Sequence, residues 1–134
     1  MVNRQPVVAS DLQIDADPDA PRAARRFSSR FLAHLGLDRD ARWAPLLIVS
    51  ELVTNVVRHG GPTLVLSLSA EPDGRLRIAV YDNGGGEVAK SRVQGEGGRG
   101  LEIVDTLSSR WGVDDRRPGK TVWCEVDINH LSAS

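Results

Sequence analysis

The 134 residues are 40% apolar and 26% charged, which fits one globular domain and leaves little room for a second. The net charge is −1, from 17 Lys plus Arg against 18 Asp plus Glu, so no global field draws nucleic acid or an anionic membrane to the chain. Its single cysteine, Cys124, closes no internal disulfide and supplies no multi-thiolate zinc site.

The opening Met1-Val-Asn-Arg-Gln-Pro6 lacks a signal peptide's apolar segment, and no apolar run approaches the roughly 18 residues of a spanning helix. The expected location is therefore the cytoplasm. Residues 1–9 read as a flexible N-terminus and 10–134 as a single domain. Asp11-Leu-Gln-Ile-Asp15 alternates polar and apolar residues as a short strand, with Leu12 and Ile14 facing inward. Asp19 is the expected N-cap of a helix with Pro21 in its first turn, running to about Leu35 and stopped by Gly36. Ala24, Phe27, Phe31 and Leu35 follow helical spacing, and Arg22, Arg25, Arg26 and Arg30 take the other positions as a solvated face.

A second helix is expected from near Asp40 to Arg58 or His59, ended by Gly60-Gly61-Pro62. Two alternating runs, Thr63 to Ser69 and Arg75 to Asp82, joined by Glu71-Pro-Asp-Gly74, read as a hairpin. Residues 83–100 hold seven of the 13 glycines and make no regular element. Helical periodicity resumes over Gly100 to Leu107, and Thr121 to Asp127 alternates as a final strand. Helices and strands in this mixed order predict an α+β two-layer sandwich, its mixed and mostly antiparallel sheet carrying helices on one face.

Several familiar motifs fail on inspection. Gly119-Lys120-Thr121 resembles the end of a phosphate-binding P-loop, but Asp114 stands where the first glycine is needed, and a strand pattern follows instead of a helix. Gly95-Glu-Gly-Gly-Arg-Gly100 matches a dinucleotide fingerprint without an adequate preceding strand, and Lys120 stands about where a ribose-binding acid is expected. His34, His59 and His130 form no metal-binding pair.

One constellation survives. Glu51, Asn55 and His59 are spaced four apart on the second helix, so each is turned only about 40° from the last and raised about 6 Å. The apolar arc of Val49, Leu52, Val53, Val56 and Val57 is expected to face the sheet, with the polar stripe looking away from it. Ile48 and Leu47 flank that stripe, which implies that a loop or ligand covers it. The glycine-rich stretch after Asp82 is the expected cover. A carboxylate at a strand end followed by Asn83-Gly84-Gly85-Gly86 can accept a hydrogen bond from an exocyclic amine while bare backbone lies against a purine. That reading requires a purine-sized hollow beside Asp82. Gly97-Gly98-Arg99-Gly100 precedes a helix whose free N–H groups suit phosphate oxygens. Each cluster alone is equally a flexible turn.

The ordered set Glu51-Leu-Val-Thr-Asn55-Val-Val-Arg-His59, Asp82-Asn-Gly84-Gly-Gly86, Gly98-Arg-Gly100-Leu101 and Lys120-Thr121 resembles the GHKL ATPase superfamily, which includes DNA gyrase, sensor histidine kinases and the serine-kinase anti-sigma factors. The likeness covers residues 10–127 and is to the compact anti-sigma type. It implies the Bergerat fold with ATP between helices and lid. Asn55 would ligate Mg²⁺ through its amide oxygen, and Glu51 would be the general base. Asp82 would hold the adenine amino group in a pocket shaped by Gly84 and Gly86. Gly98, Arg99, Gly100 and Leu101 would close around the phosphates, and Thr121 would support the adenine end. His59 carries over as a nucleotide contact or as a cap of helix carbonyls. The eleven residues between Gly86 and Gly98 make a short lid, and Glu87 and Glu96 within it oppose a triphosphate unless Lys90, Arg92 or Arg99 offset them.

The function so implied is an ATP-dependent protein serine/threonine kinase that phosphorylates a small anti-sigma antagonist and sequesters a sigma factor. Two alternatives stay open: a GHKL-fold module that docks a partner without turnover, and a detached histidine-kinase catalytic domain. Arg22, Arg26 and Arg30 are the candidate docking face for an acidic partner. No direct nucleic-acid or membrane partner is expected, and whether two copies pair as a homodimer is left open.

Overall fold

A computed structural model describes residues 8–84, 99–116 and 118–128. In chain order the elements are β1 (Val8–Asp15), α1 (Ala20–His34), α2 (Arg39–His59), β2 (Thr63–Ala70), β3 (Arg75–Asp82), α3 (Arg99–Leu107), β4 (Arg110–Arg116) and β5 (Gly119–Asp127). The strands form one sheet in the order β1-β2-β3-β5-β4. Each of the four described pairings is antiparallel, where the sequence reading allowed a mixed sheet.

Alternation along the strands sorts side chains onto two faces. Leu64, Leu66 and Leu68 of β2, Leu76, Ile78 and Val80 of β3, and Cys124 and Val126 of β5 are buried beneath the helices. From the helix side, Ala24, Phe31 and Leu32 of α1, Ile48, Val49, Leu52 and Val53 of α2, and Leu101 and Val104 of α3 complete this core. Burying these apolar groups is the main force holding the layers together, worth about 1.5–3 kcal/mol for each large side chain. The opposite face of the sheet has a different chemistry. There Trp123 lies 4.8 Å from the Arg77 guanidinium and 5.4 Å from that of Arg110, and Glu125 accepts an ion pair from Arg110 at 3.0 Å.

Local signals account for most boundaries. Asp38 caps α2: its side chain accepts the N–H of Ala41 at 2.9 Å. Asp19 precedes α1 without making a side-chain cap; instead its own N–H donates to Asp17 Oδ1 at 2.9 Å. Gly36, at φ +89°, and Gly74, at φ +91°, occupy the left-handed region that ends α1 and turns the β2–β3 hairpin.

Three expectations need correction. β1 reaches back to Val8, so Val8 and Ala9 belong to the sheet rather than to a flexible terminus. β4 was missed altogether; it is an edge strand whose pairing with β5 supplies the order that its own sequence lacks. Ile48 is fully buried in the core rather than bordering a ligand, because α2 is packed by the sheet, by α1 and by α3 together. No described helix is long and apolar enough to cross a membrane.

Candidate functional site

The site begins where α2 ends. Gly60 closes the helix by donating its N–H to the Val56 carbonyl at 2.8 Å, and the chain turns through Gly61 and Pro62 into β2. β3 runs antiparallel to β2 and ends at Asp82, whose register partner is Leu64 at the start of β2. Asp82 is therefore delivered to the foot of α2. It is 2% exposed, and its Oδ1 accepts two backbone N–H groups, from Gly61 at 2.7 Å and from Gly84 at 2.9 Å.

The glycines around this carboxylate are required by proximity, since none of them has a positive φ. A Cβ on Gly60 would stand 2.8 Å from Asp82 Oδ2, and one on Gly61 would stand 2.9 Å from the Gly84 backbone. Only bare backbone fits there.

Beside Asp82 is a small hollow of about 20 Å³, lined by Leu52, Asn55 and Val56 of α2, Val80 and Asp82 of β3, and Lys120 and Val122 of β5. That volume holds about one water, well short of a purine. The described residues form the floor of the expected pocket, and the segment read as its lid, with Gly86 and Gly98, lies outside them. Asn55 and Asp82 are brought together as lining residues of one hollow. Glu51, one turn before Asn55, is half-buried and makes no hydrogen bond or ion pair among the described residues. His59, at the helix end, is half-buried, engaged with a partner, and outside the hollow's lining.

On the phosphate side, Arg99 and Gly100 form the first turn of α3, and Leu101 is 8% exposed as part of the core. Leu101 thus anchors the helix start by packing. The register also corrects Thr121. It pairs with Tyr81, which is 41% exposed on the face of the sheet away from the helices, whereas Lys120 pairs with Asp82. Side-chain alternation puts Lys120 in the hollow and turns Thr121 away from it. Lys120, 6% exposed, lines the hollow, although the sequence reading quoted it in a motif and gave it no role in the site. The signal was present, because Lys120 is in phase with Val122, Cys124 and Val126 of the inward-facing set.

No group of three or more His, Cys, Asp or Glu among the described residues could hold a metal by itself. A single amide oxygen from Asn55 fits Mg²⁺ only when phosphate oxygens and water complete its shell. Cys124 is no nucleophile: burial pushes its thiol up to about 12, against lesser opposing effects of an Ile78 backbone hydrogen bond and of Arg77. A second hollow, open and about 350 Å³, lies between α2 and α3, where Trp43 is 62% exposed beside Leu47, Ile103 and Leu107.

Comparison with known proteins agrees with this geometry. Residues 14–125 match the family model described as histidine kinase-like ATPase domain. An uncharacterised protein of Streptomyces coelicolor is 31% identical over 83 residues, covering 58% of this chain and 79% of that protein. The crystal structure of the RsbU and RsbW domains of a Mycobacterium tuberculosis protein superposes with a TM-score of 0.67 at 24% identity, over 87% of this chain and 32% of that one. A blue-light activated histidine kinase domain from Erythrobacter litoralis gives 0.54 at 23% identity, over 71% of this chain and 49% of that one. The chain spans about a third and a half of these two structures, which share its fold. With its sheet order, its Asp82 cradle and a family match over most of its length, this chain belongs to the histidine kinase-like ATPase domains of the GHKL superfamily.

Proposed function

We propose that this protein is an ATP-binding regulator of the anti-sigma-factor kinase type, which transfers phosphate from Mg-ATP to a Ser or Thr of a small antagonist protein and sequesters a sigma factor. The observation that carries the reading is the placement of Asn55 in the Asp82 hollow with Glu51 one turn away, half-buried and without a hydrogen-bond or ion-pair partner among the described residues. A domain that only held nucleotide has no use for a carboxylate held at that position without a partner among the described residues. The RsbW domain in one of the superposed structures agrees with it.

In this reading Asp82 accepts the exocyclic amine of the base through Oδ2, since its Oδ1 is already taken by two N–H groups. Asn55 presents an amide oxygen toward Mg²⁺, which when bound offsets the charge on the transferred phosphoryl group. Glu51 takes the proton of the acceptor hydroxyl as the new O–P bond forms and the bond to the leaving diphosphate breaks. Arg22, Arg26 and Arg30, all exposed on α1, are the docking face for an acidic partner surface.

Incubation with Mg-ATP and a candidate antagonist, beside Glu51→Gln, tests the role. Transfer should fall at least about a hundredfold while ATP affinity changes less than about twofold. Equal transfer by the two proteins removes Glu51 from the mechanism. A second reading is a partner-docking module without turnover, which the exposed Arg22, Arg26 and Arg30 face of α1 favours. Intact partner binding with no ATP binding at millimolar concentration selects it.

A further inference from the structure

Trp43, Leu47 and Glu51 stand four apart on α2, so each is about 6 Å further along the helix and turned about 40° from the last. Ile103 and Leu107, also four apart, make a facing row on α3, with Glu102 and Thr106 beside them. The two rows bound the open groove of about 350 Å³, and Leu47 in its wall is one helical turn from Glu51. The walls are apolar, from Trp43, Leu47, Ile103 and Leu107, and Trp43, 62% exposed, is the most exposed large apolar side chain among the described residues. Aromatic and aliphatic surface left open in a concave place is where a partner's apolar side chain gains most by leaving water.

Charge narrows the kind of partner. Glu102 is the charged residue in the groove's lining, and it makes no hydrogen bond or ion pair among the described residues. Asp105, the next carboxylate of α3, is engaged by Trp111 Nε1 at 2.8 Å. Glu51 adds a second carboxylate at the end of the α2 row, while Arg39 and Asp40, both exposed just before Trp43, offset each other. Arg42 is committed to the carbonyls of Leu37 and Asp38, and Arg58 lies about two turns beyond Glu51. The groove is therefore acidic, opposite in sign to the Arg22, Arg26 and Arg30 face of α1. An acidic surface suits α1; a segment with a large apolar side chain beside a Lys or Arg suits the groove.

Length adds a spacing. Glu51 is about 6 Å along the helix axis from Leu47 and about 12 Å from Trp43, and an extended chain advances about 3.3 Å per residue. A hydroxyl facing Glu51 thus sits about two to four residues from an apolar anchor in the groove.

We propose that the α2–α3 groove docks the segment of the partner protein that carries the phosphate acceptor, taking one large apolar side chain against Trp43 and Leu107 and a neighbouring Lys or Arg at Glu102. That the segment is an acceptor rests on the kinase reading above; the groove's preference for an apolar and basic segment does not.

The test is fluorescence anisotropy of labelled peptides with the full chain and Mg-ATP, followed by phosphate transfer to the same peptides. Each peptide is a run of about thirteen Gly and Ala residues carrying one Ser, one Phe about three residues away and a Lys next to the Phe. Replacing the Phe by Ala should weaken binding at least about tenfold, and Trp43→Ala should remove that difference. Replacing the Lys by Glu should weaken binding to the wild type at least about threefold, and Glu102→Lys should reverse the preference, which loss of structure in the variant cannot do. Moving the Phe to about eight residues from the Ser should leave binding within about twofold and cut transfer at least about tenfold. Equal binding of the Phe and Ala peptides overturns the docking site, as does a preference that survives Trp43→Ala or a charge preference that Glu102→Lys leaves unchanged. Groove-dependent binding with no transfer to any peptide keeps the docking surface and overturns the kinase reading. Transfer that ignores the spacing overturns the placement of the acceptor hydroxyl at Glu51.

Discussion

The backbone N–H of Gly61 donates to the side chain of Asp82 at 2.7 Å, tying the exit of α2 to the end of β3 across 21 positions of sequence. With the Gly84 N–H on the same oxygen, this makes Asp82 a structural clasp as well as a lining residue of the hollow.

The two roles separate by substitution. Asp82→Ala leaves two backbone donors without their acceptor, and each such loss costs about 1–3 kcal/mol. Urea denaturation should show a destabilisation of that order. Asp82→Asn keeps one oxygen for the clasp but puts an N–H₂ donor where Oδ2 was. It should stay within about 1 kcal/mol of wild type while ATP affinity falls at least about tenfold in calorimetry.

Gly61→Ala tests the close approach beneath that clasp. Its Cβ would land 2.9 Å from the Gly84 backbone, which has no flexible end to move aside. A loss of about 1–3 kcal/mol is expected, by the same physics as overpacking a core. Gly36→Ala is the control: nothing lies within 4 Å of its Cβ, so only the strain of its φ of +89° remains, about 1–2 kcal/mol. Melting of both variants with and without ATP should show that only Gly61→Ala also weakens nucleotide stabilisation.

Asn55→Ala removes the only side-chain amide that lines the hollow among the described residues. ATP affinity should fall at least about tenfold in the presence of Mg²⁺ and change less than about twofold in EDTA. An equal loss under both conditions would show that Asn55 touches the nucleotide rather than the ion.

Cys124 makes a pH prediction. Burial raises the folded-state pKa of its thiol from an ordinary 9.0 to about 12, so the folded chain holds that proton more tightly than the unfolded chain does. Its contribution to stability is complete below about pH 9 and is lost as the pH rises toward 12. The slope attributable to this thiol is at most about 1.4 kcal/mol per pH unit. Denaturation of wild type and Cys124→Ala at pH 8, 9.5 and 10.5 should show a gap that narrows with rising pH, and thiol alkylation at pH 8 should require unfolding.

Much of this molecule is legible in one dimension. The apolar spacing of α2, the Gly60-Gly61-Pro62 stop, the hairpin turn at Gly74 and the alternation of β5 are local signals, written within a few residues of the elements they specify. Glu51, Asn55 and Asp82 stand out for the same reason, as polar groups at fixed phase in otherwise apolar patterns. Lys120 was equally legible by its phase, and a motif resemblance drew attention to its neighbour instead. β4 was not legible: Arg110-Trp-Gly-Val-Asp-Asp-Arg116 has no convincing alternation, and it is a strand because β5 offers it a hydrogen-bonding edge.

Periodicity therefore determined the elements other than β4, their order and the helix that carries the polar stripe, because hydrophobic spacing acts over one or two turns of chain. Which side chains meet was decided by pairings between residues about 20 to 40 positions apart: Asp82 with Gly61, Asp82 with Lys120, and Tyr81 with Thr121. Register has a period of two, so a single step exchanges the faces of a strand, and the folded sheet alone set Lys120 opposite Asp82 and Thr121 opposite Tyr81. The size of the hollow belongs to the same class, since packing from α2, β3 and β5 together sets the space that remains.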